Sequence, residues 1–233
     1  MKNVAVILAG GSGKRINSHL PKQYLPVGDC PLLVHTIRIF ELSSIIHDIL
    51  LVVPKEDIPR VESLIVEPNG FSKIGRIVAG GHERQDSVKN GLDAVGDDTD
   101  IVLIHDGVRP FITEELIRLT VREAVNHGAA TVGVPVKETV KRVDQAGWIL
   151  ETLDRQVIWL TQTPQAFQRS IIQEAYQRAY RDHFYGTDDA SLVERMGHPV
   201  RMIKATYDNI KITTQEDLLL AELLIKKRKA TVP

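Results

Sequence analysis

Five consecutive apolar residues, Val4 to Leu8, run directly into Ala9-Gly10-Gly11-Ser12-Gly13-Lys14-Arg15. The run has the length and character of a strand buried on both faces of a parallel sheet. The turn that follows is rich in glycine, which lets backbone approach a ligand closely, and its successive N–H groups can form a nest for phosphate oxygens. Lys14 and Arg15 follow at once, and Lys22 comes seven residues after Arg15. A glycine cradle beside several fixed cations suits a triphosphate better than a dinucleotide. Two familiar glycine loops are excluded. A Walker A loop needs Ser or Thr after its Gly-Lys, and Gly13-Lys14 is followed by Arg15; the dinucleotide fingerprint starts at Gly11-Ser12-Gly13 but meets Ile16 where its third glycine belongs. No acid closes the second predicted strand to hold a ribose hydroxyl.

The 233 residues suffice for one α/β domain, 1–233, with a small appendage. A net charge of −1 argues against a general nucleic-acid binder, so any anion site must be a local gathering of cations. The single cysteine, Cys30, excludes an internal disulfide framework and reads as a small apolar filler in a reducing compartment. No apolar run approaches the ~18 residues of a membrane span, and the chain starts on a strand rather than a signal segment, which points to a cytoplasmic protein with no membrane partner. The basic run Lys226-Lys227-Arg228-Lys229 reads as the end of a helix, where cations oppose the dipole.

Strand and helix signals alternate. Strands are expected at Val4–Leu8, Ile49–Val53, Arg76–Val78, Ile101–His105 and Thr131–Val134, with amphipathic helices at Leu32–Glu41, Glu56–Val66, Gln85–Val95 and Thr113–His127. Such alternation implies βαβ units and a mainly parallel sheet with helices on both faces. Ligands on these sheets sit beyond the carboxyl ends of the strands, where Gly10–Arg15, Gly80–Ser87 and His105–Pro110 fall. After Pro135 the pattern changes. Residues 136–156 read as a β-hairpin arm turning at Gln145-Ala146-Gly147, too small to fold alone, with Trp148 and Leu150 as candidate contacts to a sheet or a second subunit. A strand near Trp159–Gln162, a helix near Arg169–Arg181, a strand near Val200–Ala205 and a last helix capped by Thr213 and Glu216 complete the chain.

Asp106, closing the fourth predicted strand, is the candidate metal ligand, because Mg²⁺ needs only one or two protein carboxylates when substrate phosphates supply the rest. Gly80-Gly81-His82-Glu83-Arg84-Gln85-Asp86-Ser87 offers backbone and hydroxyl groups to a base edge. Arg155, Lys211, Thr163 and Thr187 lie near chain turns, and spacing alone does not single them out.

Together these segments resemble one family, the 2-C-methyl-D-erythritol 4-phosphate cytidylyltransferases of the non-mevalonate isoprenoid pathway. The resemblance runs from Val4 to about Leu224. It rests on AGGSGKR, Pro21-Lys22-Gln23, GGHERQDSV, HDGVRPF, Val136 to Arg142, Arg155, QTPQAF, GTDDAS and DNIKIT, in that order. It implies a Rossmann-like nucleotidyltransferase fold, CTP and a polyol phosphate as substrates, Mg²⁺, and a homodimer whose hairpin arms embrace. It implies that Arg15 and Lys22 stabilise the charge on the α-phosphate, and that Ala9, Gly10, Gly11, Gly13, Gly81, His82 and Ser87 lie at the nucleotide. It implies that Asp106 holds the metal and that Arg155 and Lys211, with Thr163 nearby, hold the methylerythritol phosphate. Arg109 and Thr139 are expected to reach the neighbouring subunit's site. The LAGG and VRPF segments are also similar to ribitol 5-phosphate cytidylyltransferases, so that acceptor is the alternative. A nucleotide-binding regulator without catalysis is a further one.

Overall fold

The apolar strands pair into one seven-stranded sheet. The computed structural model describes residues 1–11 and 20–231, with side chains as far as 228. Strand β1 (Asn3–Leu8) lies parallel to β4 (Asp48–Val53) on one side and to β6 (Ile101–Asp106) on the other, and β5 (Ile74–Ala79) extends the β4 edge. The chain thus builds outward from β1 in one direction, then returns to its far side. A crevice opens between β1 and β6 at their carboxyl ends, the place where open α/β sheets bind ligands. On the other half, β7 (Ala129–Pro135) runs parallel to β11 (Arg201–Lys204), while β10 (Trp159–Gln168) lies antiparallel to both β6 and β7. Two short strands, β2 (Pro26–Val27) and β3 (Cys30–Pro31), form a small separate pair.

Successive strand residues point to opposite faces, and both faces are covered. Ala5, Ile7, Ile49, Leu51 and Leu103 pack beneath α1 (Leu32–Leu42) and α5 (Glu114–His127). Val4, Val6, Leu50, Val52, Val102 and Ile104 pack beneath α4 (Arg84–Ala94), α6 (Arg169–Arg181) and α7 (Asp189–Arg195). The last helix, α8 (Gln215–Thr231), docks through Ala221, Leu224 and Ile225 onto Val27, Leu32, Phe111 and Ile212.

Three local expectations are refined. The segment expected as one helix over Glu56–Val66 is helical throughout, but not as one continuous α-helix: a 3₁₀ turn, Lys55–Asp57, leads into α2 (Ile58–Val61), a π-helical stretch, Glu62–Val66, and α3 (Glu67–Asn69). Pro59 and Pro68 lack the N–H that a continuous helix would use, and the apolar spacing of Val61 and Ile65 does not reveal that. The cap of α8 is shifted by one residue: Thr214 Oγ1 accepts from the Asp217 N–H (3.3 Å) while Asp217 Oδ2 accepts from the Thr214 N–H (2.9 Å). The basic run lies in the closing turns of α8, as expected, and Arg228 donates to the carbonyl of Phe111 at 2.6 Å. The hairpin forms as expected, β8 (Lys141–Val143) pairing with β9 (Ile149–Thr152), and every residue of both strands is exposed.

Candidate active site

The end of β1 is fixed from both sides. The Ala9 N–H donates to the Val52 carbonyl (2.8 Å), and the Leu8 carbonyl accepts from the Gly107 N–H (2.8 Å). Leu8, Ala9, Gly10 and Gly11 thereby line a cavity of about 370 Å³ together with Lys22, Gly81, His82, Arg84, Ser87, Asp106 and Lys211. The ammonium of Lys22 lies across the loop: a Cβ at Gly11 would stand only 3.2 Å from Lys22 Cε and 3.5 Å from Nζ. Gly11 therefore leaves the cation room to face the cavity. The 80–87 segment is held as firmly. Ser87 Oγ accepts from the Gly81 N–H (3.1 Å) and donates to the Glu83 carbonyl (3.1 Å). A Cβ at Gly81 would lie 2.3 Å from that of Asp86, so only glycine fits there. His82 is exposed at the rim.

A second cavity, of about 440 Å³, adjoins the first. Arg109, Thr161, Gln162, Thr163, Gln165, Thr187 and Asp188 line it, and Arg84, Asp106 and Lys211 line both. The shared wall is strongly charged. Asp106, almost fully buried, has Lys211 Nζ at 2.9 Å, Arg109 Nε at 3.5 Å and Arg84 Nε at 3.6 Å. Burial by itself would raise the Asp106 carboxyl, but Lys211, Arg84 and Arg109 hold it far below the ordinary carboxylate range. It is therefore ionised at any physiological pH. The cations outnumber it, so the wall is built to meet anions.

The backbone around Asp106 is pinned by a buried polar chain. The Asp106 N–H donates to Thr163 Oγ1 (3.1 Å), which lies 3.0 Å from His105 Nδ1, and His105 Nε2 lies 3.1 Å from the Arg109 carbonyl. Burial pushes the His105 imidazole down to about 4, so it is neutral. The bonds then run one way: Nε2–H donates to Arg109, and Nδ1 accepts from the Thr163 hydroxyl. On the other side Asn209 Nδ2 donates to Gln162 Oε1 (2.9 Å) and the Thr163 carbonyl (3.0 Å), while its own carbonyl accepts from Arg109 Nη1 (2.9 Å). This sets the turn leading to Lys211.

The structure thus brings Ala9, Gly10, Gly11, Lys22, Gly81, His82, Ser87, Asp106, Arg109, Thr163 and Lys211 to one cleft. Gly13 and Arg15 lie outside the described residues. Arg109, expected to reach the neighbouring subunit's site, lines the cleft of its own chain, where the Asn209 carbonyl and Asp106 hold its guanidinium. Thr139 and Arg155 line neither cavity; both are exposed on the arm, where Arg155 Nη1 donates to the Lys137 carbonyl at 2.6 Å. Sequence reasoning missed the roles of Arg84, Gln165 and Asn209, polar residues whose only signal is that they close buried hydrogen bonds. Away from the cleft, Asp29, Cys30 and His35 bring three possible ligand atoms within 4.8 Å, but His35 Nε2 lies 2.7 Å from the Val27 carbonyl and serves the β2–β3 turn. Cys30, read as an apolar filler, is only partly buried and places its Sγ 3.2 Å from the same nitrogen.

A donor set of one buried carboxylate open to two cavities, with phosphates to complete the sphere, fits a magnesium-sized divalent cation. A glycine-lined crevice at the carboxyl end of β1, a lone aspartate closing β6 and a cationic wall between two cavities define a nucleotidyltransferase. A family model described as 2-C-methyl-D-erythritol 4-phosphate cytidylyltransferase matches residues 3–227. A relative of that name from Syntrophus aciditrophicus is 52% identical over 231 residues, 99% of each chain. One from Geobacter metallireducens is 47% identical, covering 96% of this chain and 97% of its own. Among solved structures, the 4-diphosphocytidyl-2C-methyl-D-erythritol synthase of Anaerococcus prevotii superposes with a TM-score of 0.86 at 32% identity, over 97% of this chain and 96% of that one. The Thermus thermophilus 2-C-methyl-D-erythritol 4-phosphate cytidylyltransferase gives 0.78 at 30%, over 95% and 98%. The chain belongs to the 2-C-methyl-D-erythritol 4-phosphate cytidylyltransferase family. It is a transferase that moves the cytidylyl group of CTP to methylerythritol phosphate in isoprenoid biosynthesis, which decides between the two acceptors that the sequence left open.

Proposed function

We propose that CTP binds along the glycine loop and the 80–87 segment, that 2-C-methyl-D-erythritol 4-phosphate binds in the adjoining cavity, and that the two meet at the Asp106 wall. The products are 4-diphosphocytidyl-2-C-methyl-D-erythritol and pyrophosphate. The observation that carries this reading is that two polar cavities share Arg84, Asp106 and Lys211. The phosphate of the acceptor is already an anionic nucleophile, so no general base is needed. The obstacle is repulsion between two anions. The protein overcomes it by holding both in line and placing fixed positive charge where negative charge accumulates.

Lys22 and Arg15 serve the α-phosphate. Ala9, Gly10, Gly11 and Gly13 give backbone contact to the phosphates; Gly81, His82 and Ser87 face the cytidine. Arg109, Thr163 and Lys211 hold the acceptor's phosphate. Asp106 would hold the Mg²⁺, with Lys211 as the partner that yields its carboxylate. When bound, the cation neutralises phosphate charge between the attacking and leaving oxygens. Thr139 and Arg155 act across a homodimer: the exposed arm, with Trp148 and Leu150 bare, carries them to the partner's cleft. No helix among the described residues is long and apolar enough to cross a membrane.

Pyrophosphate release from CTP with each polyol phosphate tests the reading. Methylerythritol phosphate should turn over and ribitol 5-phosphate should not. Lys211→Ala should raise KM for the acceptor more than KM for CTP. Equal effects on the two substrates would remove Lys211 from the acceptor side.

A further inference from the structure

Arg84 stands at the first position of α4 and touches both halves of the cleft wall. Its Nη1 and Nη2 donate to the two oxygens of Asp189 at 3.0 and 2.7 Å, and its Nε faces Asp106 Oδ1 at 3.6 Å. Asp189 is wholly buried in the first turn of α7, and Tyr176 of α6 donates to its Oδ1 at 2.6 Å. The flanking residues repeat the connection. Gln85 Nε2 donates to the Phe184 carbonyl (3.0 Å), and Gln85 Oε1 accepts from the Gly186 N–H (2.9 Å). Gln165 Oε1 accepts from the N–H groups of Asp189 and Ala190, both at 3.0 Å, and its Nε2 donates to Asp188 Oδ2 at 2.7 Å. The segment that carries His82 and Ser87 and the turn that carries Thr187 and Asp188 are therefore fastened to each other through the Arg84 guanidinium and the Gln85 amide.

The geometry points to Arg84 as a positioning residue: by clamping Asp189 with its fork while its Nε charge faces Asp106 at 3.6 Å, it fixes the separation between the nucleotide side and the acceptor side of the cleft. This inference rests on the assignment of the two cavities to CTP and to the acceptor phosphate. The fork is what the task requires. A guanidinium offers a planar, two-pronged face to one carboxylate and a further donor to a second, whereas an ammonium is a single point of charge. Small errors in the alignment of reacting groups are costly in rate even where binding survives.

The test uses three purified full-length proteins, wild type, R84K and Y176F, with pyrophosphate release and calorimetric CTP binding measured on each. R84K keeps the charge and loses the fork. Y176F removes a hydrogen bond to Asp189 from the core side and leaves every cleft residue in place. The expected result is a 10- to 100-fold fall in kcat for R84K and a smaller fall in the same direction for Y176F, with the dissociation constant for CTP within threefold of wild type in both. An R84K protein with wild-type kcat overturns the inference, as does a loss of CTP affinity equal to the loss in kcat. Wild-type protein that releases no pyrophosphate refutes the reaction and the inference with it; wild-type turnover beside an unimpaired R84K refutes the inference alone.

Discussion

Replacing Asp106 by Asn keeps the size of the side chain and removes its charge, so it isolates what the carboxylate does among its cations. Three positive groups then face one another across the wall, while Asp189 is already clamped by Arg84. Removing one partner of a fully buried ion pair costs about 3–5 kcal/mol. Here the cost should be smaller. Lys211 is 39% exposed and can turn to water, Arg84 keeps Asp189, and Arg109 keeps the Asn209 carbonyl. About 1–3 kcal/mol remains, which for a chain of this size lowers Tm by roughly 3–10 °C. The pH dependence follows from the depressed carboxyl of Asp106. A carboxylate whose pKa is lower in the folded protein stabilises it above the ordinary carboxylate range, and that stability is lost only as pH falls through the folded value. The gap in Tm between wild type and variant should hold from pH 8 to pH 5 and narrow in stronger acid. Turnover should fall by ~10² or more, the loss typical of a group that organises charge at the reacting phosphate. In the absence of divalent cation the variant should bind pyrophosphate more tightly than wild type, because the three cations have lost their internal competitor. Thermal unfolding followed by circular dichroism, together with pyrophosphate-release kinetics, reads all of this. A variant as stable and as active as wild type would refute the charged-wall account.

Lys22→Ala and Arg15→Ala should each lower kcat by ~10²–10³, the loss expected when a cation is removed from the reacting phosphate; normal turnover in either would remove that residue from the mechanism. His105 makes the wild type sensitive to mild acid. The unfolded imidazole takes up its proton near pH 6.5 and the folded one only near 4, so this group's contribution is complete above 6.5 and declines by about 3 kcal/mol on the way to 4. In His105→Gln, denaturant unfolding should show a flatter slope of stability against pH in that window; an unchanged slope would mean another group is responsible. The double variant Trp148→Asp, Leu150→Asp should run as a monomer in light scattering and lose turnover with its fold intact. A dimer that persists would exclude the arm as its contact.

Much of the fold is legible in the chain because burial on both faces leaves a plain signature. Val4 to Leu8 and Ile101 to Ile104 are unbroken apolar runs, and both are central strands. Strand β10 is legible only at its start. Gln162, Thr163 and Gln165 are buried polar side chains in a strand that contains Pro164, a pattern that reads as a loop. They are tolerated because each is spent on a hydrogen bond that shapes the cleft, Thr163 to His105 and Gln165 to the start of α7. The glycine loop, Asp106 and Lys22 announced the site through chemistry local in sequence. Arg84 did not, since its partners lie 22 and 105 residues further on and only the fold brings them together. Thr187 is placed in the second cavity by the same fastening.

The most direct test is a crystal structure of the protein with Mg²⁺, a non-reactive CTP analogue and 2-C-methyl-D-erythritol 4-phosphate bound together. The triphosphate should lie along Gly10 and Gly11 with Lys22 on its α-phosphate, and the acceptor's phosphate should lie between Arg109 and Lys211. A triphosphate seated away from Lys22 and Asp106, or both phosphates crowded into one cavity, would contradict the account.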